Sequence, residues 1–347
     1  MQYVRLGQSG LKVSRLCLGT MNMGSKEWKP WIFDEKESEP IIRHALDNGV
    51  NFIDLADFYS TGAGEEVVCN VLRRIGRRDE MVITTKVGYA MNDDINAQGH
   101  SRKHIFDAID ASLTRMGMDY VDIYMLHYFD TETPVEETMG ALNDIVLAGK
   151  ARYIGISTMT TGQLAKILMV CDKNGWQRPI NMQLQLNCAY REEEREMIPF
   201  CMDQGIGVSV FSPLARGILT NDLQSNRNQT DFFTAEMYND QASKDISYSV
   251  AKVADARGVL PAQIAQAWVL NKPEISSMLV GADTKEQFDS ALAAVETKLT
   301  EEEIYELERN YTPCDLINDY TAGKRIPRTA RPLKEILPDK TLRYFLL

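Results

Sequence analysis

The sequence predicts an α/β protein built as a single (β/α)8 TIM barrel, with an N-terminal β-hairpin plug and a C-terminal extension, and three observations carry that prediction. From about residue 16 to residue 295, short apolar runs alternate with longer segments of helical period, the rhythm of repeated strand–helix units over a parallel sheet. Where an open dinucleotide-binding sheet would carry Gly-x-Gly-x-x-Gly after its first strand, the chain reads Gly19-Thr20-Met21-Asn22-Met23-Gly24. Polar residues also end several of the strands, which suits a closed barrel whose chemistry is assembled from many strand ends.

Taken in order, residues 1–15 read as a hairpin, Val4–Gly7 and Leu11–Ser14 around Ser9-Gly10, placed to plug the N-terminal face. Eight candidate strands follow: Leu16–Gly19, Phe52–Leu55, Val82–Lys86, Val121–Leu126, Tyr153–Ile156, Ile180–Leu184, Gly207–Phe211 and Met278–Val280. Amphipathic stretches lie between them. Ser101 precedes a helical run over Arg102–Met116, and Gly117 closes it where a left-handed residue is wanted. Thr133-Pro134 opens the next helix, with Pro134 in its first turn and Gly149 at its end. The stretch Ala215–Asp245, rich in Asn, Gln, Asp and Thr, reads as a long loop over the opposite face, a cofactor clasp. Residues 1–319 form the barrel domain and residues 320–347 an extension without helical or strand period.

With 347 residues the chain is long for one domain, but barrels of this class exceed the usual domain size. Its 44% hydrophobic content and 25% charge are those of a globular protein with a filled core. A formal net charge of −11 argues against nucleic acid or an anionic membrane as partner, since both require a basic face. Cys17, Cys69, Cys171, Cys188, Cys201 and Cys314 show neither a CxxC pair nor a metal-ligand rhythm and read as reduced thiols. His44, His100, His104 and His127 fall on different elements, so no metal site is expected. Met1–Arg5 has no leader pattern and no apolar run reaches the ~18 residues of a membrane helix, which points to the cytoplasm.

Three strand ends converge on one chemistry. The second strand runs through Asp54 into Ala56-Asp57-Phe58-Tyr59, the third ends Thr84-Thr85-Lys86, and the fourth ends Leu126-His127. In a barrel these ends share one cavity, so Asp54, Tyr59, Lys86 and His127 meet although far apart in sequence. A lysine beside a phenol lowers its pKa from about 10, a carboxylate keeps that lysine charged and aimed, and a histidine can donate to a carbonyl oxygen. Singly, each residue reads as a cap, a packing group or a satisfied core histidine. Their joint occurrence at consecutive strand ends is what points to proton transfer.

Phe52-Ile53-Asp54-Leu55-Ala56-Asp57-Phe58-Tyr59 followed by Gly64-Glu65-Glu66, Thr84-Thr85-Lys86-Val87, and Asp119 through His127 resemble the aldo-keto reductase family. Gly149-Lys150-Ala151-Arg152-Tyr153-Ile154-Gly155-Ile156-Ser157 and Ser212-Pro213-Leu214-Ala215-Arg216-Gly217 are similar to its later motifs, and the resemblance spans residues 3–315, with bacterial members of broad carbonyl specificity as the nearest kind. That resemblance implies an NAD(P)H-dependent oxidoreductase that reduces aldehydes and ketones or oxidises the alcohols, with Tyr59 as proton donor. It also implies cofactor contacts from Ser157, Gln183, Phe211, Ser212, Leu214, Arg216, Gly217, Gly281, Asp283 and Gln287. Thr158 stands where many relatives have Asn, Phe211 where Tyr is usual, and Val280–Gln287 lacks the basic set that grips a 2′-phosphate. The resemblance implies NADP(H), with NAD(H) left open by the acidic Asp283 and with Lys285 or Arg227 as alternative sources of charge.

Trp28, Trp31, Phe58, Tyr89, Tyr128 and Phe129 fall in loops at the same face and are candidates to line an aromatic substrate pocket. The substrate is then a small carbonyl compound or alcohol. Two rival readings use the same residues. One is a nicotinamide-binding redox sensor or auxiliary subunit with little turnover, for which the apolar end of Pro332–Leu347 would be a docking surface. The other is a lyase using Lys86 as a Schiff-base amine, which the neighbouring Asp54 opposes by keeping the amine protonated.

Overall fold

A computed structural model of the chain describes residues 1–220, 234, 237–319 and 324–326. Eight parallel strands close into a barrel: β3 (Leu16–Gly19), β4 (Phe52–Asp54), β5 (Val82–Val87), β6 (Val121–Leu126), β7 (Ala151–Ser157), β8 (Asn181–Gln185), β9 (Gly207–Phe211) and β10 (Ile275–Val280). Each strand pairs with its sequence neighbours, and β10 pairs with both β9 and β3 to complete the circle. Helices α1 (Glu35–Asp47), α2 (Ala63–Ile75), α3 (Arg102–Met116), α4 (Val135–Leu147), α5 (Thr161–Asn174) and α6 (Met197–Asp203) follow β3 to β8 in turn. After β9 come α7 (Gln241–Arg257) and α8 (Pro261–Leu270), and after β10 come α9 (Lys285–Glu296) and α10 (Glu301–Glu308).

The caps explain where the helices begin. Ser101 accepts from the His104 amide and Gly117 closes α3 at φ 61, as the sequence predicts. Asp34 and Thr160 form reciprocal capping boxes with Glu37 and Gln163 at α1 and α5. Pro134 differs from expectation: it is the cap residue of α4 rather than part of its first turn, and Thr133 donates instead to Asp130 at 2.6 Å. The expected loop Ala215–Asp245 ends earlier, because Asp240 accepts from the Ser243 amide and starts α7 at Gln241. Strand β10 begins three residues before the predicted Met278; Ser276 and Ser277 masked its period, yet both are buried and Ser277 donates to Ser14 O at 2.8 Å.

The hairpin β1 (Tyr3–Arg5) and β2 (Lys12–Ser14) plugs the floor of the barrel. Leu6 and Val13 join Cys17, Phe52, Val82, Ile123 and Leu279 in one buried cluster, the lowest interior layer. At Gly7 the hairpin meets backbone directly: φ is 60, and an added Cβ would lie 2.3 Å from Gly205 O. Side chains alternate across a strand, so climbing by two residues from this apolar floor leads upward to Asp54 on β4, Lys86 on β5, His127 just past β6 and Ser157 at the end of β7. The wall between barrel and helices holds the larger core, including Trp268, Tyr124 and Phe288. A further strand pair, β11 (Leu316–Asp319) with β12 (Lys324–Ile326), straddles the expected boundary at residue 320. The rest of Thr321–Leu347, including the Pro332–Leu347 tail, lies outside the described residues.

Candidate active site

Asp54, Tyr59 and Lys86 share one buried hydrogen-bonded centre at the top of β4 and β5. Lys86 Nζ donates to Asp54 Oδ2 at 2.6 Å, to Leu55 O at 2.8 Å and to Tyr59 OH at 3.2 Å. Three donors meet three acceptors, so an ammonium with no exposed surface is fully satisfied. Burial opposes the lysine's charge, but Asp54 and then Tyr59 outweigh it and leave its pKa raised. The phenol departs from expectation: burial raises the Tyr59 pKa, and the opposing pull of Lys86 only moderates that rise. His127 sits beside the phenol with ring centroids 5.9 Å apart, and burial followed by the Lys86 charge pushes its pKa far down, so the imidazole is neutral.

The loop aromatics form a continuous run outward from these groups. His127 touches Tyr89 (4.7 Å), Tyr89 touches Phe58 (5.0 Å) and stacks on Tyr128 (4.9 Å), Phe58 meets Trp28 edge-on (5.6 Å), and Trp28 meets Trp31 (6.5 Å). Phe129 is placed elsewhere. It packs on the outer core and lines a small cavity with His100, Leu126, Val135 and Met139, on the α4 side of the wall.

Across the mouth the groups at the ends of β7 and β8 are hydroxyls and amides. Ser157 and Thr158 hydroxyls lie 3.1 Å apart, Gln183 Nε2 donates to Asp54 Oδ1 at 2.8 Å, and Phe211 ends β9 partly exposed over the interior. Thr158 has φ 48, a left-handed conformation that Asn adopts more readily than Thr. After β9 the chain takes positive φ at Ser212, Ala215, Arg216 and Gly217, which curls the backbone into a concave turn. Between β10 and α9, Asn22 Nδ2 donates to Asp283 Oδ1 at 3.0 Å, the Gln287 side chain accepts from the Asp283 amide at 2.7 Å, and Gly281 is exposed. Arg227 falls outside the described residues.

The sequence profile of the Aldo/keto reductase family matches residues 15–311, from the first barrel strand to the end of the last barrel helix. The chain belongs to that family. Among its relatives, the versiconal hemiacetal acetate reductase of Aspergillus parasiticus is 41% identical over 337 residues, covering 90% of this chain and 98% of the relative. A protein of Schizosaccharomyces pombe whose name places it among aryl-alcohol dehydrogenases is 40% identical, covering 90% and 97%. One of Saccharomyces cerevisiae named in the same way is 37% identical, covering 89% and 97%. These relatives are fungal, where the motifs had suggested a bacterial affinity. This aldo/keto reductase is therefore an oxidoreductase that interconverts carbonyls and alcohols with a nicotinamide cofactor, and reductase and dehydrogenase relatives favour turnover over the sensing alternative.

Two sets of groups at the reductase's mouth escape sequence reasoning. Tyr238, buried at the end of the segment after β9, accepts from Gln185 Nε2 at 2.6 Å and Asn187 Nδ2 at 3.1 Å. Buried Glu65 and partly buried Arg115 form an ion pair behind the Tyr59 turn. Glu65 lies inside a quoted motif, but its partner is fifty positions away on another helix and no local signal joins them.

Proposed function

We propose that Tyr59 is the proton donor in carbonyl reduction and the proton acceptor in alcohol oxidation, with Lys86, Asp54 and His127 as its partners. The observation that carries this reading is the single ammonium of Lys86, held by Asp54 and in contact with the phenol at the foot of an aromatic channel. When bound, the reduced nicotinamide supplies a hydride to the carbonyl carbon, and its oxidised form takes one back from the alcohol. Tyr59 delivers its proton to the oxygen that gains charge. Its raised pKa keeps it protonated at neutral pH, and Lys86 stabilises the phenolate it leaves. Neutral His127 donates to the same oxygen and orients it.

The neutral side of the mouth suits the cofactor. Ser157 and Gln183 offer donors and acceptors for a carboxamide, and Phe211 offers a ring face for stacking. The positive-φ turn that carries Ser212, Leu214, Arg216 and Gly217 brings a hydroxyl and a guanidinium to the place suited to a pyrophosphate. Gly281, Asp283 and Gln287 lie at the N-terminus of α9, on the adenosine side. We take NADP(H) as the preferred cofactor: Asn22 already engages Asp283, and Lys285 opens α9 with a positive charge. Trp28, Trp31, Phe58, Tyr89 and Tyr128 suit a planar aromatic or otherwise apolar aldehyde or ketone. Residues 1–319 form the catalytic unit, residues 320–347 the extension, and the acidic charge and six free thiols fit work in the reducing cytoplasm.

Fluorescence titration with NADPH and NADH, followed by turnover of an aromatic aldehyde panel, tests this. The expected result is tighter NADPH binding and oxidation of cofactor by wild type, lost in Tyr59→Phe with cofactor affinity retained. Tight binding without turnover of any carbonyl, or full activity in Tyr59→Phe, overturns it.

A further inference from the structure

The segment that presents Tyr59 is held in an unfavourable backbone conformation. Immediately after the phenol, Ser60 (φ 51), Thr61 (φ 51) and Gly62 (φ 95) are all left-handed. Left-handed backbone is uncommon for a residue with a side chain and least favourable for a β-branched one such as Thr61, so surrounding contacts must hold this turn. On its outer side lies the Arg115 side chain from α3: a Cβ added to Gly62 would lie 2.8 Å from Arg115 Cδ and 2.9 Å from its Nε.

Arg115 is fixed in turn by Glu65, a carboxylate with no exposed surface in the first turn of α2. Glu65 uses its two oxygens on two different elements. Oε2 accepts from Arg115 Nε at 2.7 Å, and Oε1 accepts from Thr85 Oγ1 at 2.5 Å. Thr85 immediately precedes Lys86 on β5, and strand alternation turns its side chain out toward the helices while that of Lys86 turns in. One carboxylate thus joins the strand that carries the ammonium to the helix whose arginine braces the turn that carries the phenol. An ion pair that takes a carboxylate wholly out of water adds little net stability over apolar residues of equal volume, so stability alone gives weak reason for this one, with Glu65 buried and Arg115 partly so.

We propose that Glu65 and Arg115 are positioning residues for proton transfer, a clamp that sets the 3.2 Å contact between Lys86 Nζ and Tyr59 OH. The inference rests on Tyr59 being the proton donor. Loosening the clamp lets the phenol move away from Lys86. Of the groups that face Tyr59, Lys86 pulls its titration down, Asp54 and Cys17 push it up, and His127 is neutral. With Lys86 less effective, the phenol titrates higher.

The test is the double variant Glu65→Leu/Arg115→Met, which removes both charges and so strands neither, alongside the single variant Glu65→Gln, which keeps an acceptor for Thr85. In the double variant the clamp predicts a fall in kcat of about 100-fold, the effect of a small misplacement at a reacting group, with KM and NADPH affinity within about twofold. It also predicts a phenolate difference titration, each protein against its Tyr59→Phe counterpart, that moves to higher pH. That titration needs no turnover, so a shifted phenol in a protein without carbonyl reduction would sink the proton-donor reading and leave the clamp standing. A folded double variant with kcat and phenolate titration unchanged would show a structural tie only and overturn the proposal. Should the double variant not fold, the same two readouts on Glu65→Gln decide, a smaller shift in the same direction supporting the clamp and no shift overturning it.

Discussion

The two halves of the barrel mouth are built from different chemistry. The half formed by β4, β5 and the end of β6 buries formal charge: Asp54 and Lys86 within it and Glu65, paired with partly buried Arg115, behind it, beside Tyr59 and His127. The strands β7, β8 and β9 bury hydroxyls and amides, among them Ser157, Thr158, Asn181, Gln183, Gln185 and Ser209, with the buried carboxyls of Glu192 and Glu193 set apart in the turn beyond β8. Proton transfer needs groups whose protonation is tuned by neighbours, which demands charge in a low-dielectric setting. Holding a cofactor that binds and leaves needs dipoles that can exchange partners with water at modest cost. Across the barrel interior a side-chain hydrogen bond from Gln183 Nε2 to Asp54 Oδ1 joins the halves.

The contrast is broken most severely by removing the charge at its centre. Lys86→Met is expected to lower kcat by about 10²–10⁴-fold and, by stranding Asp54, to destabilise the fold by about 3–5 kcal/mol. Adding Asp54→Asn should recover much of the stability and none of the activity, as thermal melts and steady-state assays would show; recovery of both would place the proton transfer elsewhere.

The next test uses Glu193, a carboxyl in the short turn after β8. Burial raises its pKa to about 7 from 4.5, with the neighbouring Glu192 adding to the rise and the Tyr190 hydroxyl opposing it. Folded protein therefore binds more protons than unfolded chain between those values, and stability falls as pH rises from about 4.5 to about 7. Glu193→Gln should remove this fall. Urea unfolding of variant and wild type at pH 5 and pH 8 should differ in its variant effect by up to about 3 kcal/mol, in favour of the variant at pH 8. A variant effect independent of pH would mean that Glu193 is charged in the folded state.

At the junction of the halves, Gln183→Met takes one donor from Asp54 and is expected to cost about 1.5–3 kcal/mol while weakening NADPH binding. A loss of stability with unchanged affinity would confine Gln183 to the charged side. The smallest effect should come from Tyr238→Phe, which removes the acceptor shared by two amides and should cost about 1 kcal/mol, read as a lowered Tm.

The charged centre is legible in the sequence because strand parity does the work: Asp54, Lys86 and His127 each sit a whole number of two-residue steps above the apolar floor. The barrel itself is legible from the alternation of short apolar runs with segments of helical period. Side-chain direction in loops is not, and of the consecutive Tyr128 and Phe129 the first stacks on Tyr89 while the second packs on the outer core. The sign of the Tyr59 shift was also hidden, because a lysine beside a phenol can be read from motifs whereas the depth of its burial cannot. The Glu65–Arg115 pair depends on how α2 packs against α3, which no local pattern encodes.

The hairpin floor ties the beginning of the chain to its end. Gln8 N donates to Gly205 O, Arg15 Nη2 donates to Leu270 O, and β3 finds its second neighbour only in β10. During synthesis β3 can pair with β4 early, but it waits for β10, the last barrel strand, to gain its second neighbour. A nascent chain halted before Ile275 carries two open strand edges, on β3 and β9, and barrel closure is a late, long-range event whose slowness leaves those edges exposed to other chains.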